Sequence, residues 1–286
     1  MIRAARPGEE AAIDAFLTAH ADSSMFLRSN LAAHGLDETE HPHGTRFYIT
    51  PAIGEFSAIF GRTNDGFLMC QAPQAGPETW RGFADILQGQ VILGMTGVDG
   101  QVMQALAALE LPSDAFRVNH SEPLYRLDLA LVQEPQEVTL RAPTPDDLNV
   151  LGLWYAQYMR DTGQAGETAA DIRTAITRAV EAIAGGQVRL LIEDGQPVAM
   201  TGINARVGDM VQLGGVFTPP DRRGKGYARN AVAAQLAEER KTGTRVAVLF
   251  ANNAAAARSY EAIGFKKVGT YRVAILKRAC EIGVAA

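Results

Sequence analysis

Residues 211–229, VQLGGVFTPPDRRGKGYAR, constrain this chain more than any other stretch. A hydrophobic strand, expected over Asp209 to Phe217, breaks at a loop of two glycines, two arginines and a lysine. A helix then starts near Tyr227 and runs to Lys241, closing at Gly243. Gly224 and Gly226 leave backbone N–H groups pointing into the loop, and the helix aims its positive end at the same place. That arrangement holds phosphate oxygens without requiring any particular side chain. Arg222, Arg223, Lys225 and Arg229 add charge, with no acid between Arg222 and Arg229, in a chain of net charge −5. Such a concentration points to a specific anion rather than a generally basic surface. Two common nucleotide loops fit poorly. A Walker loop needs Ser or Thr after Gly-Lys, where this chain has Gly226; a dinucleotide fingerprint needs a third glycine where it has Arg229.

A second stretch follows. Arg245 to Phe250 is a short β-branched, apolar run with strand character. Asn252 or Asn253 can cap a helix that starts at once, because Asn accepts from the free N–H groups of a first turn. Ala254 to Ala257 are strong helix formers, and Gly264 supplies a left-handed stop. Tyr260 lies two helical turns beyond Asn253, on the same face. What remains of the first loop, Arg223-x-x-Gly226-x-Ala228, resembles the acetyl-CoA loop of the GNAT N-acetyltransferase superfamily, Gln/Arg-x-x-Gly-x-Gly/Ala. Asn253, Ala256, Tyr260, Gly264 and Phe265 match that family's second signature, Asn-x-x-Ala-x-x-x-Tyr-x-x-x-Gly-Phe. The resemblance covers roughly residues 139–280.

The resemblance implies roles. Arg222, Arg223, Gly224, Lys225, Gly226, Tyr227 and Ala228 would hold the CoA pyrophosphate. Val216, Phe217 and Thr218 would give main-chain contacts to the pantetheine arm. Asn253 and Ala256 would support that arm, and Tyr260 would protonate the departing thiolate. A phenol suits that task, with an unperturbed pKa of about 10 against about 8.5 for a thiol. The plain alternatives are a solvated strand-to-helix turn for the loop, a helix cap for Asn253 and a core aromatic for Tyr260. Gly214-Gly215 inside a strand pattern indicates a bulge; in the family a bulge here splays two parallel strands, with a backbone N–H near Gly215 or Val216 facing the thioester oxygen. No general base is evident. Asp209 lies at the strand mouth, Gln212 cannot take a proton, and Glu193 or Asp194 could act only through water.

At 286 residues, 47% apolar and 21% charged, the chain has room for two domains. No run approaches the ~18 apolar residues of a membrane span, and Arg3 and Arg6 are followed by acids rather than an apolar signal core. Its two cysteines, Cys70 and Cys280, form no framework, so a reduced, cytoplasmic chain is expected. The acidic balance argues against nucleic acid. His34 and His41-Pro-His43 have unspecific spacing, and no metal is expected. Trp80 and Trp154 are expected to pack in the interior, while Trp154, Tyr155 and Tyr158 fall where the family's acceptor site often lies.

A repeat divides the chain. Residues 2–10 read IRAARPGEE and 140–147 read LRAPTPDD, aligning Arg3 with Arg141, Pro7 with Pro145 and Glu9 with Asp147. Each is a short strand and then a Pro-led, acid-rich helix start. The N-terminal half offers strands at Arg46–Thr50, Glu55–Phe60 and Gly66–Cys70, a helix over Pro77–Gln88, and a strand from Val91 to Met95. Its loop, placed at Thr96-Gly-Val-Asp-Gly-Gln, carries Asp99 and no arginine. The C-terminal half adds helices near Asp146–Met159 and Ala169–Ala184, a hairpin around Asp194-Gly195, and a last strand at Gly269–Leu276. The expected fold is therefore α/β (α+β): two tandem GNAT-like domains, a degenerate one over 1–136 and a catalytic one over 137–286. Each is a mixed, mostly antiparallel twisted sheet flanked by helices, and the second has a splayed parallel pair for CoA. The expected activity is that of an acyltransferase, moving acetyl from acetyl-CoA to a primary amine of a small molecule, protein or peptide. The alternatives are a non-catalytic acyl-CoA-binding module or a transferase using another acyl donor. Oligomeric state is left open.

Overall fold

Prolines, glycines and caps set where each element of this chain begins and stops. The computed structural model describes residues 2–51 and 56–283; Glu55, the predicted start of one strand, lies outside them. The first half runs β1 (Arg3–Ala4), α1 (Glu10–Thr18), α2 (Met25–His34), β2 (Thr45–Pro51), β3 (Phe56–Thr63), β4 (Phe67–Gln71), α3 (Pro77–Ile86), β5 (Val91–Val98) and α4 (Asp99–Ala108). It continues through β6 (Phe116–Asp128), β7 (Thr139–Arg141), α5 (Leu148–Asp161), α6 (Ala169–Gly185), β8 (Val188–Glu193), β9 (Gln196–Val207) and β10 (Met210–Phe217). The rest is α7 (Tyr227–Lys241), β11 (Val246–Phe250), α8 (Ala254–Glu261) and β12 (Lys266–Glu281). Asp194 and Gly195 both take positive φ, the conformation that a two-residue hairpin turn demands between β8 and β9.

These elements form two units. One comprises Met1–Glu122 with Gly269–Ala286, the other Pro123–Val268. Strand order is β1-β2-β3-β4-β5-β12 in the first and β6-β11-β10-β9-β8-β7 in the second. Each is mainly antiparallel, with one parallel pair: β4 with β5, and β10 with β11. The two orders correspond strand for strand, except that the closing strands are exchanged. The place beside β5 is taken by β12, with Tyr271 opposite Val98. The place beside β11 is taken by β6, with Leu127 opposite Ala247. A single cut between residues 136 and 137 therefore does not separate the units.

Period-two alternation supplies both faces of each sheet. In the first unit Phe47, Ile49 and Ile59 face α1 and α2, while Tyr48, Ala58 and Phe60 face α3 and α4 with Trp80 and Phe83. In the second, Leu190, Met200 and Phe217 meet α5 and α6, whereas Leu213 and Leu249 meet α7 and α8. Val232 and Leu236 of α7 are wholly buried in that second layer, each worth about 1.5–3 kcal/mol.

The short repeat has a physical basis. Arg3 grips Glu9 through both guanidinium nitrogens, and Arg141 grips Asp147 in the same way at 2.7 and 2.9 Å. Each carboxylate also accepts a backbone N–H three residues earlier, from Arg6 and Thr144 respectively. The arginine bonds hold both carboxyls down at about 2. A carboxyl lowered in the folded state stabilises it above the unfolded pKa of about 4, and that stability is lost as pH falls towards 2. Asp147→Asn is expected to remove about 2 kcal/mol at pH 7, roughly 5 °C in Tm. The gap to the parent should narrow as melting is repeated from pH 4 down to 2; a gap unchanged with pH would show that charge is not its source.

The predicted Thr96–Gln101 loop is absent, because β5 continues to Val98 and α4 begins at Asp99. The true counterpart of the 218–226 loop is the segment 72–76, APQAG, which is shorter and contains no basic residue. The pair β4 and β5 also stays in register from Phe67 opposite Gly94 to Cys70 opposite Gly97. Beyond it the Ala72 N–H is taken by the Gln101 side chain at 2.7 Å. The first unit keeps these strands closed.

Candidate active site

The second unit opens the equivalent strands. β10 and β11 are in register from Met210 opposite Val246 to Gln212 opposite Val248. Past that point the pairing of β10 with β9 slips between Gln212 and Leu213, and again between Gly214 and Phe217. Glycine is required there: the Asn204 side chain fills the space a Cβ on Gly214 would occupy, and Gly215 has φ +62°. The two strands part around a cleft of about 950 Å³.

Its walls come from the end of α5, the end of β10, the loop heading α7, β11 and α8. Val216 and Phe217 end β10, Thr218 follows it, and all three line the cleft together with Arg222 to Arg229. Thr218 Oγ1 is buried with no hydrogen-bond partner among the described residues, so it can serve something inside the cleft. Gly224 and Gly226 both have φ +81°, and Gly226 is the N-cap of α7. The N–H groups of that first turn have no partners within the helix. Arg223 is fixed by three contacts: it donates to the Thr218 carbonyl at 3.0 Å and to the Asp161 carboxylate at 2.6 Å, and it lies 5.8 Å from the Phe217 ring. Lys225 lies 5.9 Å from the Tyr227 ring. The Tyr227 hydroxyl donates to Glu193, which raises its pKa.

Opposite lie β11 and α8. Asn253 Oδ1 accepts the Ala256 N–H at 2.9 Å, so this residue is a helix cap, and both residues line the cleft. Tyr260 is buried, edge-on to Phe265 at 6.0 Å between ring centres, and also lines the cleft. Whereas Phe265 of the second motif packs in the core behind Tyr260, Arg222 to Ala228, Asn253, Ala256 and Tyr260 are thus brought to one cavity. The carboxylates considered as bases are not: Glu193 is taken by Tyr227, and Asp209 sits beside Arg245 at 3.9 Å. Among the described residues lining the cleft, Asp161 is the one carboxylate.

A second cavity of about 320 Å³ shares Tyr158, Gly214 and Gly215 with the first. Its other walls are Tyr155 from α5, Arg178 and Glu181 from α6, Gln164, the first residue of β8, and Gly202 to Asn204 within β9. Burial pushes the Tyr155 hydroxyl up to about 12. Sequence reasoning pointed to Tyr155 and Tyr158 but missed Asp161, Arg178 and Glu181. The alternation of Ala175, Ala179 and Ala182 as the buried stripe of α6 is the signal that would have put Arg178 on the flank of that stripe.

A mixed sheet with a splayed parallel pair, and an anion-suited loop heading the next helix, define the GNAT class of acyl-CoA-dependent acetyltransferases. Residues 137–266 match the family model described as "Acetyltransferase (GNAT) domain", and this segment belongs to the GNAT superfamily. GNAT acetyltransferases use acetyl-CoA and act on amine acceptors. Among solved structures, the chain is similar to a Drosophila protein (13% identity, 96% of this chain and 98% of that one, TM-score 0.63). It is also similar to a GCN5-related N-acetyltransferase from Sphaerobacter thermophilus (16% identity, 100% and 97%, TM-score 0.54). A third is a tandem GNAT protein from the clavulanic acid biosynthesis pathway (14% identity, 100% and 99%, TM-score 0.50). At these identities the likeness is one of fold. A comparison with curated proteins found no match. No helix among the described residues is long and apolar enough to cross a membrane, and no described group of three or more His, Cys, Asp or Glu could hold a metal ion.

Proposed function

We propose that this chain transfers the acetyl group of acetyl-CoA to a primary amine, by direct attack while both substrates are bound. The observation that carries this reading is one cleft holding a splayed parallel strand pair, a positive-φ glycine loop at a helix start and a buried tyrosine. The amides of Gly224 to Ala228, with Arg222 and Lys225, would receive the pyrophosphate. Arg223 contributes by bracing the loop, since its guanidinium is already bonded to Thr218 and Asp161. Val216 to Thr218 would pair with the pantetheine arm, leaving the orphaned Thr218 hydroxyl a partner. Asn253 and Ala256 support the arm from the start of α8.

In the transfer, the neutral amine nitrogen forms a bond to the thioester carbonyl carbon and the C–S bond breaks. The nitrogen loses its proton to water, Tyr260 donates its hydroxyl proton to the thiolate, and water restores it. The products are an N-acetyl amide and free CoA thiol. The adjoining cavity at Gly214 and Gly215 is the route by which an amine would reach the carbonyl. The free cysteines Cys70 and Cys280 fit a reducing, cytoplasmic compartment.

One observation favours a second reading, a binding module without turnover: Asp161, the cleft's one carboxylate among the described residues, is bound to Arg223. Free-thiol release from acetyl-CoA, followed across amines, polyamines, amino acids, aminoglycosides and short peptides, separates the two. Acceptor-dependent release is the expected result. Tight acetyl-CoA binding with no release for any acceptor would replace transfer with binding. Release from other acyl-CoA thioesters but not from acetyl-CoA would change the donor.

A further inference from the structure

We infer that the acceptor is a small zwitterion, an amine that also carries a carboxylate, and that Arg178 reads the carboxylate. This deepens the transfer reading and rests on it. The second cavity meets the cleft at the Gly214–Gly215 bulge, so a ligand filling it ends where the acetyl group would lie. At about 320 Å³ the cavity is at the small end of ligand sites. It suits a molecule of amino-acid size better than a polyamine or an aminoglycoside.

Charge is what distinguishes its walls. Arg141, Arg189, Arg206 and Arg223 in the same unit each sit on a carboxylate. Arg178 does not. Its one hydrogen bond among the described residues is a long one, 3.3 Å, to the Gln164 amide oxygen. Glu181 follows it by three residues on α6, within reach on the same face of the helix, yet the two make no ion pair within 4.0 Å among the described residues. Both line the cavity, and both act on Tyr155: burial raises its pKa most, Arg178 draws it down and Glu181 raises it further. A cavity presenting a cation and an anion that do not neutralise each other complements a ligand carrying both signs. The planar guanidinium suits a carboxylate through two parallel N–H bonds. Glu181 then attracts the ammonium end, whose proton passes to water before attack. Asn204, at the bulge, offers further hydrogen bonds to the same ligand.

The test compares matched acceptors. Glycine, alanine, glutamate, lysine and their carboxamides are offered with acetyl-CoA, and kcat/KM is obtained from thiol release. At least one amino acid is expected to exceed its carboxamide by about 10–100-fold, given the usual worth of a charge-assisted pair. In Arg178→Gln that acid-to-amide ratio should collapse towards one. In Arg173→Gln, an exposed arginine elsewhere on α6, it should keep the parent value. Circular dichroism melts and acetyl-CoA calorimetry show whether each variant is folded and loaded. Carboxamides equal to or better than acids, a ratio unaltered by Arg178→Gln, or acetyl-CoA binding with no amino acid turned over would each overturn the inference. Turnover restricted to amines without a carboxylate, or to peptide N-termini, would overturn it while leaving the transfer reading intact. Failure of the parent protein to bind acetyl-CoA would instead remove the transfer reading beneath it.

Discussion

Gly226→Glu is expected to abolish acetyl-CoA binding measured by calorimetry, a loss of at least about 100-fold in affinity. Two effects add. Gly226 has φ +81°, which an L residue adopts at roughly 1–2 kcal/mol. A Cβ there would otherwise meet only the Arg229 guanidinium, at 3.3 Å, and that group can swing aside. Strain alone therefore explains a loss of about tenfold, the equivalent of 1.4 kcal/mol. The remainder comes from charge. A carboxylate set among Arg222, Lys225 and Arg229 neutralises the site and repels phosphate over a few ångströms. Gly226→Ala separates the two effects, keeping the strain and omitting the charge, and should fall between the parent and Gly226→Glu. Parent-like affinity in Gly226→Glu would show that phosphates bind elsewhere.

Tyr260→Phe should lower kcat by about 100-fold or more while acetyl-CoA affinity stays near that of the parent, the usual effect of losing a positioned acid. The ring's packing is preserved, since the edge-on contact with Phe265 needs no hydroxyl. The substitution is also volume-conserving in a cluster that includes Val211, Leu249 and Phe265, so folding should change little. The measurement is thiol release at saturating acetyl-CoA, beside a calorimetric titration of the same preparation. Equal loss of affinity and turnover would show that the hydroxyl serves binding. Unchanged turnover would make Tyr260 a packing residue only.

Much of the second unit was legible because its site is built from residues with local, obligatory geometry. Gly214, Gly215, Gly224 and Gly226 announce backbone that other residues resist, and Asn253 announces a helix start. The helix Tyr227–Lys241 has the bounds its sequence predicts, and Arg222 to Ala228, Asn253, Ala256 and Tyr260 reach one cleft. What stayed hidden depends on distant segments. β6 reads FRVNHSEPLYRLD, where Pro123 and the polar run before it interrupt strand periodicity. The loop of the first unit is hidden in sequence, because the brief APQAG connection lacks the glycine–arginine spelling that marks its counterpart. The roles of Arg178 and Glu181 are invisible in a helix whose exposed face is otherwise ordinary; only the fold of α6 against β8 and β9 shows which cavity they line.

The exchanged closing strands bear on how the chain is born. Thr96 of β5 bonds Arg272 of β12, a partner 176 residues further along. As the ribosome releases the polypeptide from its N-terminus, the first unit must wait with one sheet edge uncovered until residues 269–281 emerge. Its counterpart has β6 in hand before β11 is made. The half that carries the cleft can thus close its sheet first, and the half that precedes it in sequence finishes last. Contacts of such long range slow folding, and an uncovered strand edge invites wrong partners in the interval.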